Sequence, residues 1–274
     1  MSLFLCPICA APLTRCGRAY TCPGGHSYDI AKEGYVHLLP ANKMHSKAPG
    51  DDKDMAAARS RFLSADHYAH LRDLLCQLTA RYAPDSPAVL DAGCGEGYYT
   101  AGVYQALASA GKAPAMAGVD LSKPSLRWAA KREKNVEFAV ASVYHLPVAD
   151  RSVDLVINCF SPLALEEFKR VLKPGGVFLY VVPAAEHLWE LKEVLYDKPY
   201  PNGSEEIPYE GFEYLGVERT ERVIHLEGSG PIMDLFGMTP YAWKTPREGV
   251  ARLAQREKLD VQAAFCVHVF RAER

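Results

Sequence analysis

The sequence has no hydrophobic run long enough to cross a membrane. Its longest apolar stretch, residues 177–185, has nine residues, whereas a membrane-spanning helix needs about 20. The first five residues also lack the basic flank and the longer apolar core of a secretory signal. We therefore expect no membrane partner and a cytoplasmic location.

A strong excess of one charge is also missing, because the net charge at pH 7 is only −2. Global charge therefore gives no indication of a nucleic-acid partner. The first 47 residues nevertheless carry five Lys or Arg against two Asp or Glu. This basic head is compatible with phosphate binding, and a solvated loop surface explains it equally well. Glycine (20) and proline (19) are too few in 274 residues for a low-complexity chain.

Half of the eight cysteines occur within the first 22 residues. Two residues separate Cys6 from Cys9, and three separate Cys22 from His26. Such pairs can bring four ligands to one zinc ion, and metal binding would supply the folding energy that this short segment lacks. We predict a closed, structural zinc site whose ligands are Cys6, Cys9, Cys22 and His26. Cys16 could replace His26 as the fourth ligand, and a chance cluster of reduced thiols is the alternative interpretation.

The hydrophobic pattern divides the rest of the chain into two parts. Residues 41–54 are polar and predict a linker, whereas residues 54–82 have helical spacing that is broken near Ser64. From residue 84 onward, short buried strands alternate with helices, which is typical of a mostly parallel sheet covered on both faces. We predict an α/β, Rossmann-like fold whose last strand is antiparallel at the edge of the sheet.

The expected elements can be bounded from the same pattern. The predicted strands are 35–40, 88–90, 116–119, 136–140, 155–159, 177–182, 223–226 and 261–270. The predicted helices after residue 84 are 98–110, 123–133, 166–172, 184–196 and 246–258.

A glycine-rich loop follows the strand at 88–90, with the sequence Asp91-Ala92-Gly93-Cys94-Gly95-Glu96-Gly97. Glycines at alternate positions let the backbone turn sharply and approach a ligand that faces the next helix. The carboxylate of Asp91 suits a cationic amino-acid group, and Asp120 ends the next strand, where a carboxylate reaches ribose hydroxyls. S-adenosylmethionine has both groups. A structural glycine turn and a nicotinamide dehydrogenase are the alternatives.

Several further segments are distinctive: Asp29–Val36, Pro49–Asp51, Asp66–Tyr68, Leu172–Gly176, His187–Lys192 and Met238–Pro240. Together with the cysteine pattern and the glycine loop, they make the sequence resemble the class I S-adenosylmethionine-dependent methyltransferases. It is most similar to the bacterial 23S rRNA guanine-N1 methyltransferases that begin with a zinc module. The resemblance covers essentially the whole chain.

This resemblance implies methylation of a guanine N1 in a hairpin of 23S rRNA by a homodimeric enzyme. The sequence pattern divides the chain into a zinc-binding module at 1–40, a linker and helical lid at 41–83, and a methyltransferase domain at 84–274, and the resemblance implies that the module recognises RNA. The cofactor-binding residues carried over by position are Tyr68, Asp91, Gly93, Gly95, Glu96, Gly97, Asp120 and His187.

Two residues are candidates for binding or deprotonating the guanine itself. Its N1 carries a proton that is buried in base pairing, so the base must be unpaired and the proton must leave. Asn158 could bind the guanine edge and His145 could accept the proton, although a turn asparagine and a solvated histidine are simpler interpretations. Two other functions stay open: a small-molecule methyltransferase with a structural zinc lid, and a non-catalytic RNA- or protein-binding module.

Overall fold

A computed structural model describes residues 2–40, 50–203 and 208–273. Among these residues the strands are β1 (Thr14–Cys16), β2 (Ala19–Thr21), β3 (Ser27–Asp29), β4 (Tyr35–His37), β5 (Ala88–Ala92), β6 (Ala115–Asp120), β7 (Glu137–Val140), β8 (Val153–Cys159), β9 (Leu172–Pro183), β10 (Phe212–Glu227) and β11 (Lys258–Ala272). The helices are α1 (Lys53–Ser64), α2 (Ala69–Tyr82), α3 (Tyr98–Ser109), α4 (Lys123–Arg132), α5 (Leu165–Val171), α6 (Trp189–Leu195), α7 (Ser229–Gly237), α8 (Tyr241–Lys244) and α9 (Arg247–Ala254). Over these described ranges, no helix is both long and apolar enough to span a membrane.

The main sheet has the strand order β10-β11-β9-β8-β5-β6-β7-β4. The strands from β9 to β4 are parallel to one another, and β11 and β10 are antiparallel additions. Neighbouring residues of β5 pack into different hydrophobic clusters, Val89 into one and Leu90 into the other, because successive side chains point to opposite faces. Both faces are therefore covered, and the predicted α/β, Rossmann-like architecture is confirmed. The carboxyl ends of the parallel strands meet at one edge.

The prediction that the last strand lies at the sheet edge is wrong. β11 lies between β9 and β10 and pairs antiparallel with both, which leaves β10 as the edge strand. β10 has 16 residues, whereas the sequence predicted a strand only at 223–226. Nine of its 16 residues are exposed, and only Phe212, Ile224 and Leu226 are buried. The apolar alternation that marks a half-buried strand is therefore absent over most of its length.

Two helices differ from their predicted form for local reasons. The helix expected at 184–196 is present only as α6, because the residues before it form turns and Leu188 has a left-handed backbone. The helix expected at 246–258 ends at α9, and the chain then enters β11. Helices α7 and α8 were not predicted.

The cysteine module, residues 2–34, leads directly into the main sheet. Its strands β1, β2 and β3 form a separate antiparallel sheet. The chain then enters β4, which pairs in parallel with β7. The predicted strand at 35–40 thus exists over 35–37, but it is a strand of the main sheet.

Further contacts fix the cysteine module against the loop that follows β7. Phe4 forms a β-bridge with Val148, and the backbone N–H of Leu5 donates a 2.8 Å hydrogen bond to the carbonyl oxygen of Pro147. The buried Phe4 side chain belongs to the same hydrophobic cluster as one face of the main sheet. The module and the sheet therefore share one core.

The two helices predicted within residues 54–82 are confirmed as α1 and α2. Oδ1 of Asp52 caps α1 by accepting hydrogen bonds from the backbone N–H groups of Asp54 and Met55. The helix then packs against α7, where Nε of Arg61 donates a 2.9 Å hydrogen bond to Asp234. These contacts hold α1 beside the carboxyl edge of the sheet. Residues 41–49 of the predicted linker lie outside the described residues.

Candidate cofactor cavity and zinc centre

A cavity of about 800 Å³ opens at the carboxyl ends of the parallel strands. It is bounded by the glycine loop, by α1, by the turn after β8 and by the segment around α8. Its volume suits a cofactor-sized ligand. The predicted cofactor-binding residues that line it are Tyr68, Asp91, Gly93, Gly95, Glu96, Asp120 and His187.

Two glycines of the loop are required by close contacts with neighbouring segments. Gly93 has a φ of 92°, and a Cβ at this position would lie 2.1 Å from Oγ of Ser161. Gly97 has a φ of 82°, and its Cβ would lie 2.8 Å from Cα of Ala129 in α4. Gly97 does not line the cavity among the described residues; it lets α3 begin directly against α4.

Asp91 is a buried carboxylic acid at the cavity wall. Its side chain is only 2 % exposed, and Oδ2 accepts a 2.6 Å hydrogen bond from the hydroxyl of Thr100. Burial raises the pKa of Asp91 to about 7; the Thr100 hydrogen bond opposes this rise and the nearby Asp120 adds to it. The group is therefore poised to change its charge when a cation arrives.

Asp120, the last residue of β6, holds the glycine loop in place. Its two oxygens accept hydrogen bonds from the backbone N–H groups of Gly95 (2.9 Å) and Ser122 (2.7 Å). Burial raises the pKa of this carboxyl, and the two backbone hydrogen bonds oppose the rise. The side chain lies where a carboxylate can reach the hydroxyls of a ribose.

Tyr68 and His187 approach the cavity from distant parts of the chain. Their ring centroids are 6.0 Å apart, and both rings pack against Phe265 of β11. Nδ1 of His187 accepts a 3.2 Å hydrogen bond from the backbone N–H of Ala264, which assigns the ring proton to Nε2. Burial, with a smaller contribution from the neighbouring Lys192, lowers the pKa of His187 to about 3. His187 is therefore a neutral hydrogen-bond donor.

Glu96 is, like Asp91, a buried acid of the cavity. It forms an ion pair with Arg132 of α4, which opposes the rise in the pKa of Glu96 that burial causes. Across the cavity, Arg59 pairs with Asp51 and donates a 2.8 Å hydrogen bond to the carbonyl oxygen of Met238. Helix α1 is thereby connected to the segment that follows α7.

The cavity-lining residues include buried polar atoms with no hydrogen-bond partner in the described part of the chain. Because buried polar groups are normally satisfied, such atoms indicate a missing ligand with several hydrogen-bonding groups. S-adenosylmethionine, with its amino, carboxylate and hydroxyl groups, fits this requirement. The unpartnered atoms are Oδ1 of Asp91, Oε1 of Glu96 and the hydroxyl oxygens of Tyr68 and Tyr99.

Neither candidate for binding or deprotonating the guanine lines the cavity. Asn158 is fully buried, and its side-chain amide donates hydrogen bonds to the carbonyl oxygens of Ala92 (3.1 Å) and Pro162 (3.2 Å). His145 lies in an exposed turn after β7, where its backbone N–H donates to the carbonyl oxygen of Ser142. The amide nitrogen of Asn158 therefore joins two backbone segments, and its buried Oδ1 has no hydrogen-bond partner among the described residues.

The four predicted zinc ligands come together in the cysteine module. Their ligand atoms all lie within 4.8 Å of one another, with Nδ1 of His26 3.4 Å from Sγ of Cys6 and 3.3 Å from Sγ of Cys22. Cys9 completes the group at 3.5 Å from Cys22, as expected for three thiolates and one imidazole around a single ion. Cys16 lies outside this group, in the exposed strand β1, and accepts a hydrogen bond from the Thr21 hydroxyl.

Several lining residues were not predicted from the sequence. No sequence motif marks Arg59 as a cavity residue, since an arginine on an amphipathic helix is ordinarily a surface residue. Phe160 and Trp243 come from segments far apart in sequence, and only the fold brings both to the cavity. The burial of Thr100 one turn into α3 could have indicated a partner for Asp91, because a polar residue on the buried face of a helix needs one.

Comparisons with known proteins agree with this geometry. Residues 4–47 match the zinc ribbon described as RlmA, N-terminal, and residues 85–225 match a methyltransferase domain family. A protein named "Putative 23S rRNA (guanine-N(1)-)-methyltransferase" from Micromonospora griseorubida is 36 % identical, covering 94 % of each chain. The 23S rRNA (guanine(748)-N(1))-methyltransferase of Streptomyces fradiae is 35 % identical, covering 91 % of this chain and 89 % of its own.

The solved structure of the YcgJ protein from Bacillus subtilis has a TM-score of 0.50 at 16 % identity, covering 75 % of this chain and 99 % of that chain. Similarity at this identity establishes the fold alone. The two named relatives match nearly the whole chain, and with the cavity and the cysteine cluster they confirm S-adenosylmethionine and zinc as the cofactors. The chain belongs to the 23S rRNA (guanine-N1)-methyltransferase family, which joins a zinc ribbon to an S-adenosylmethionine-dependent methyltransferase domain.

Proposed function

We propose that this protein transfers the methyl group of S-adenosylmethionine to N1 of a guanine in a hairpin of 23S rRNA. The observation that carries the proposal is the union of two features in one chain. A cofactor-sized cavity with buried acids lies at the carboxyl edge of the main sheet. A module with a Cys3His cluster is packed onto the same sheet, beside a loop that lines this cavity.

Different residues of the cavity would bind different groups of the cofactor. Asp91 and Glu96 would face its cationic amino group, Asp120 the ribose hydroxyls, and the Nε2–H of His187 an oxygen of its carboxylate. Gly93 and Gly95 let the backbone approach closely. When bound, S-adenosylmethionine supplies an electrophilic methyl group, so the protein mainly has to orient the guanine nitrogen toward it.

The guanine must enter the cavity unpaired and lose its N1 proton. His187 is a poor acceptor for that proton, because Nδ1 accepts from the Ala264 N–H and Nε2 carries the ring proton. The carboxylates that line the cavity and the solvent at its mouth are the remaining acceptors. We also propose that the cysteine module contacts the RNA, that two copies of the chain form the active enzyme, and that it acts in the cytoplasm on ribosomal RNA.

The test is a comparison of 23S rRNA from cells with and without the gene. Nuclease digestion and mass spectrometry should reveal one N1-methylguanine that disappears with the gene and returns when the purified protein and S-adenosylmethionine are added. An unchanged rRNA would favour a small-molecule methyltransferase. The salt dependence of substrate binding distinguishes an rRNA methyltransferase from a small-molecule methyltransferase. Binding of RNA should weaken steeply with ionic strength, whereas binding of a small neutral substrate should not.

A further inference from the structure

Three large aromatic side chains line the cavity although their rings are substantially exposed. Tyr144 is 55 % exposed, Phe160 is 48 % exposed and Trp243 is 68 % exposed. They come from three separate parts of the fold, namely the loop after β7, the turn after β8 and helix α8. Exposed aromatic side chains gathered at one opening indicate a surface that a flat apolar group covers during function. We call these three residues the aromatic rim.

Phe160 is the member of the rim whose backbone conformation is least expected. Its φ is 54°, in the left-handed region that residues with a bulky side chain avoid. Such a conformation persists only where neighbouring contacts impose it, and it is concentrated at functional sites. The surrounding structure imposes this turn through the contacts of Asn158 and Ser161.

Asn158 and Ser161 hold this turn against the cofactor loop. The amide of Asn158 bridges the carbonyl oxygens of Ala92 and Pro162, which connects the end of β5 to the far side of the turn. The side chain of Ser161 occupies the space that a Cβ on Gly93 would need. Phe160 therefore lies on a turn that is fixed directly to the glycine loop.

An RNA methyltransferase that acts on N1 of guanine needs a place for an unstacked base. A base that leaves its helix loses its stacking partners, and proteins replace them with aromatic side chains. Of the rim residues, Phe160 is the one whose own turn packs on the loop proposed to hold the cofactor. Tyr144 and Trp243 lie on elements with no comparable contact to that loop among the described residues.

We propose that Phe160 stacks on the target guanine and presents its N1 to the methyl group, and that Asn158 is the positioning residue that holds this turn. Tyr144 and Trp243 form the sides of the opening, where they contact the flanking nucleotides. This inference rests on the proposed function and specifies how its RNA substrate is bound. It also explains why an asparagine that does not line the cavity is needed at the end of β8.

The test compares Phe160→Ala, Phe160→Leu and Phe160→Trp with the wild type on deproteinised 23S rRNA. Base stacking on one aromatic ring is worth a factor of about 10 to 100 in binding. We expect kcat/KM for RNA to fall by that factor in the Ala and Leu variants and to be largely retained in the Trp variant. Affinity for S-adenosylmethionine, measured by calorimetry, should be unchanged in all three. Val223→Ala, at a residue of β10 with 47 % exposure, is the matched control and should behave as the wild type.

Each outcome decides the proposal. If Phe160→Leu is as active as the wild type, the ring only fills space and the stacking role is wrong. Loss of S-adenosylmethionine affinity in every Phe160 variant would also overturn it, since the residue would then act through the glycine loop. An inactive wild type on 23S rRNA would remove the proposed function together with this inference. An active wild type with an equally active Phe160→Ala would remove the inference alone.

Discussion

The hydroxyl of Tyr20 in the cysteine module donates a 2.8 Å hydrogen bond to Oε1 of Glu137, the first residue of β7. The other oxygen of Glu137 accepts a 2.9 Å hydrogen bond from the backbone N–H of Leu3. One carboxylate of the main sheet thus binds both the first residues of the module and its second strand. The cysteine module is therefore hydrogen-bonded directly to β7, and the loop that follows β7 lines the cavity.

Removal of zinc should therefore weaken cofactor binding as well as RNA modification. Ala141 and Val143 line the cavity, and they share a hydrophobic cluster with Phe4 and Cys6 of the module. The Cys6→Ser variant should lose zinc, lose stability and bind S-adenosylmethionine several-fold more weakly, as measured by metal analysis, urea unfolding and calorimetry. Cys16→Ser is the matched control and should retain all three properties. Full cofactor affinity in the zinc-free variant would mean that the module and the sheet fold independently.

Binding of S-adenosylmethionine should release a proton from Asp91. The pKa of about 7 in the free protein lies above the ordinary value of 3.8, so much of this carboxyl is neutral near pH 6. A cationic amino group favours the ionised form, so affinity should rise between about pH 5.5 and pH 8. Calorimetry in buffers with different ionisation enthalpies measures the released proton. Identical heats in such buffers would contradict the prediction, and Asp91→Asn should abolish both the release and the pH dependence.

The carboxyl of Asp91 should make the free energy of unfolding fall with rising pH, whereas cofactor affinity rises. The unfolded chain ionises Asp91 near pH 4, whereas the folded protein keeps the proton up to about pH 7. Between these values the folded state binds more protons, so its contribution to the free energy of unfolding falls as the pH rises. The Asp91→Asn variant should not show this loss of stability when urea unfolding is measured between about pH 4 and pH 7.

His187 should stay neutral and keep one tautomer throughout the working pH range. Its pKa of about 3 in the folded protein lies below the ordinary value of 6.5, because burial disfavours the charged ring. Nitrogen NMR of labelled histidine should therefore find Nδ1 unprotonated and Nε2 protonated from about pH 5 to pH 8. Since the unfolded chain binds a proton below about pH 6.5 that the folded protein does not, stability from this group is lost as the pH falls. A His187 signal that titrates near pH 6.5 would exclude the proposed donor role.

Gly93→Ala should abolish binding of S-adenosylmethionine. Both the φ of 92° and the 2.1 Å approach to Ser161 oppose any side chain at this position, so the turn after β8 must move. Gly111→Ala is the matched control, because its φ of 78° carries the same backbone strain while nothing lies within 4 Å of the added carbon. Equal losses of cofactor affinity in the two variants, measured by calorimetry, would assign the effect to general destabilisation.

The parts of the site that the sequence predicts are those encoded within short segments. The spacing of Cys6, Cys9, Cys22 and His26 is sufficient because the hairpin closes locally, and the four ligand atoms lie within 4.8 Å as expected. The strand, glycine loop and helix from Asp91 onward are likewise local. The local structure of both segments can be predicted without information from the rest of the fold.

The remainder depends on contacts between distant segments. The sequence offers Asn158 as a residue that could bind the guanine edge, yet its amide nitrogen joins the end of β5 to the turn after β8. The edge position of β10 could not be predicted, because its charged, exposed side chains do not produce the alternation of a buried strand. The meeting of Phe160 and Trp243 at one opening likewise depends on how β8 and α8 are arranged in space.

The pairing of β4 with β7 has a consequence for any attempt to shorten the protein. β4 is the edge strand beside β7, so a truncated chain starting at residue 84 would leave one side of β7 unpaired while β6 stays bound on the other side. An exposed strand edge presents unpaired N–H and C=O groups that can pair with a strand of another chain. The truncated chain should therefore precipitate when it is produced without its amino-terminal residues, even though it retains every predicted contact to the cofactor from Asp91 onward.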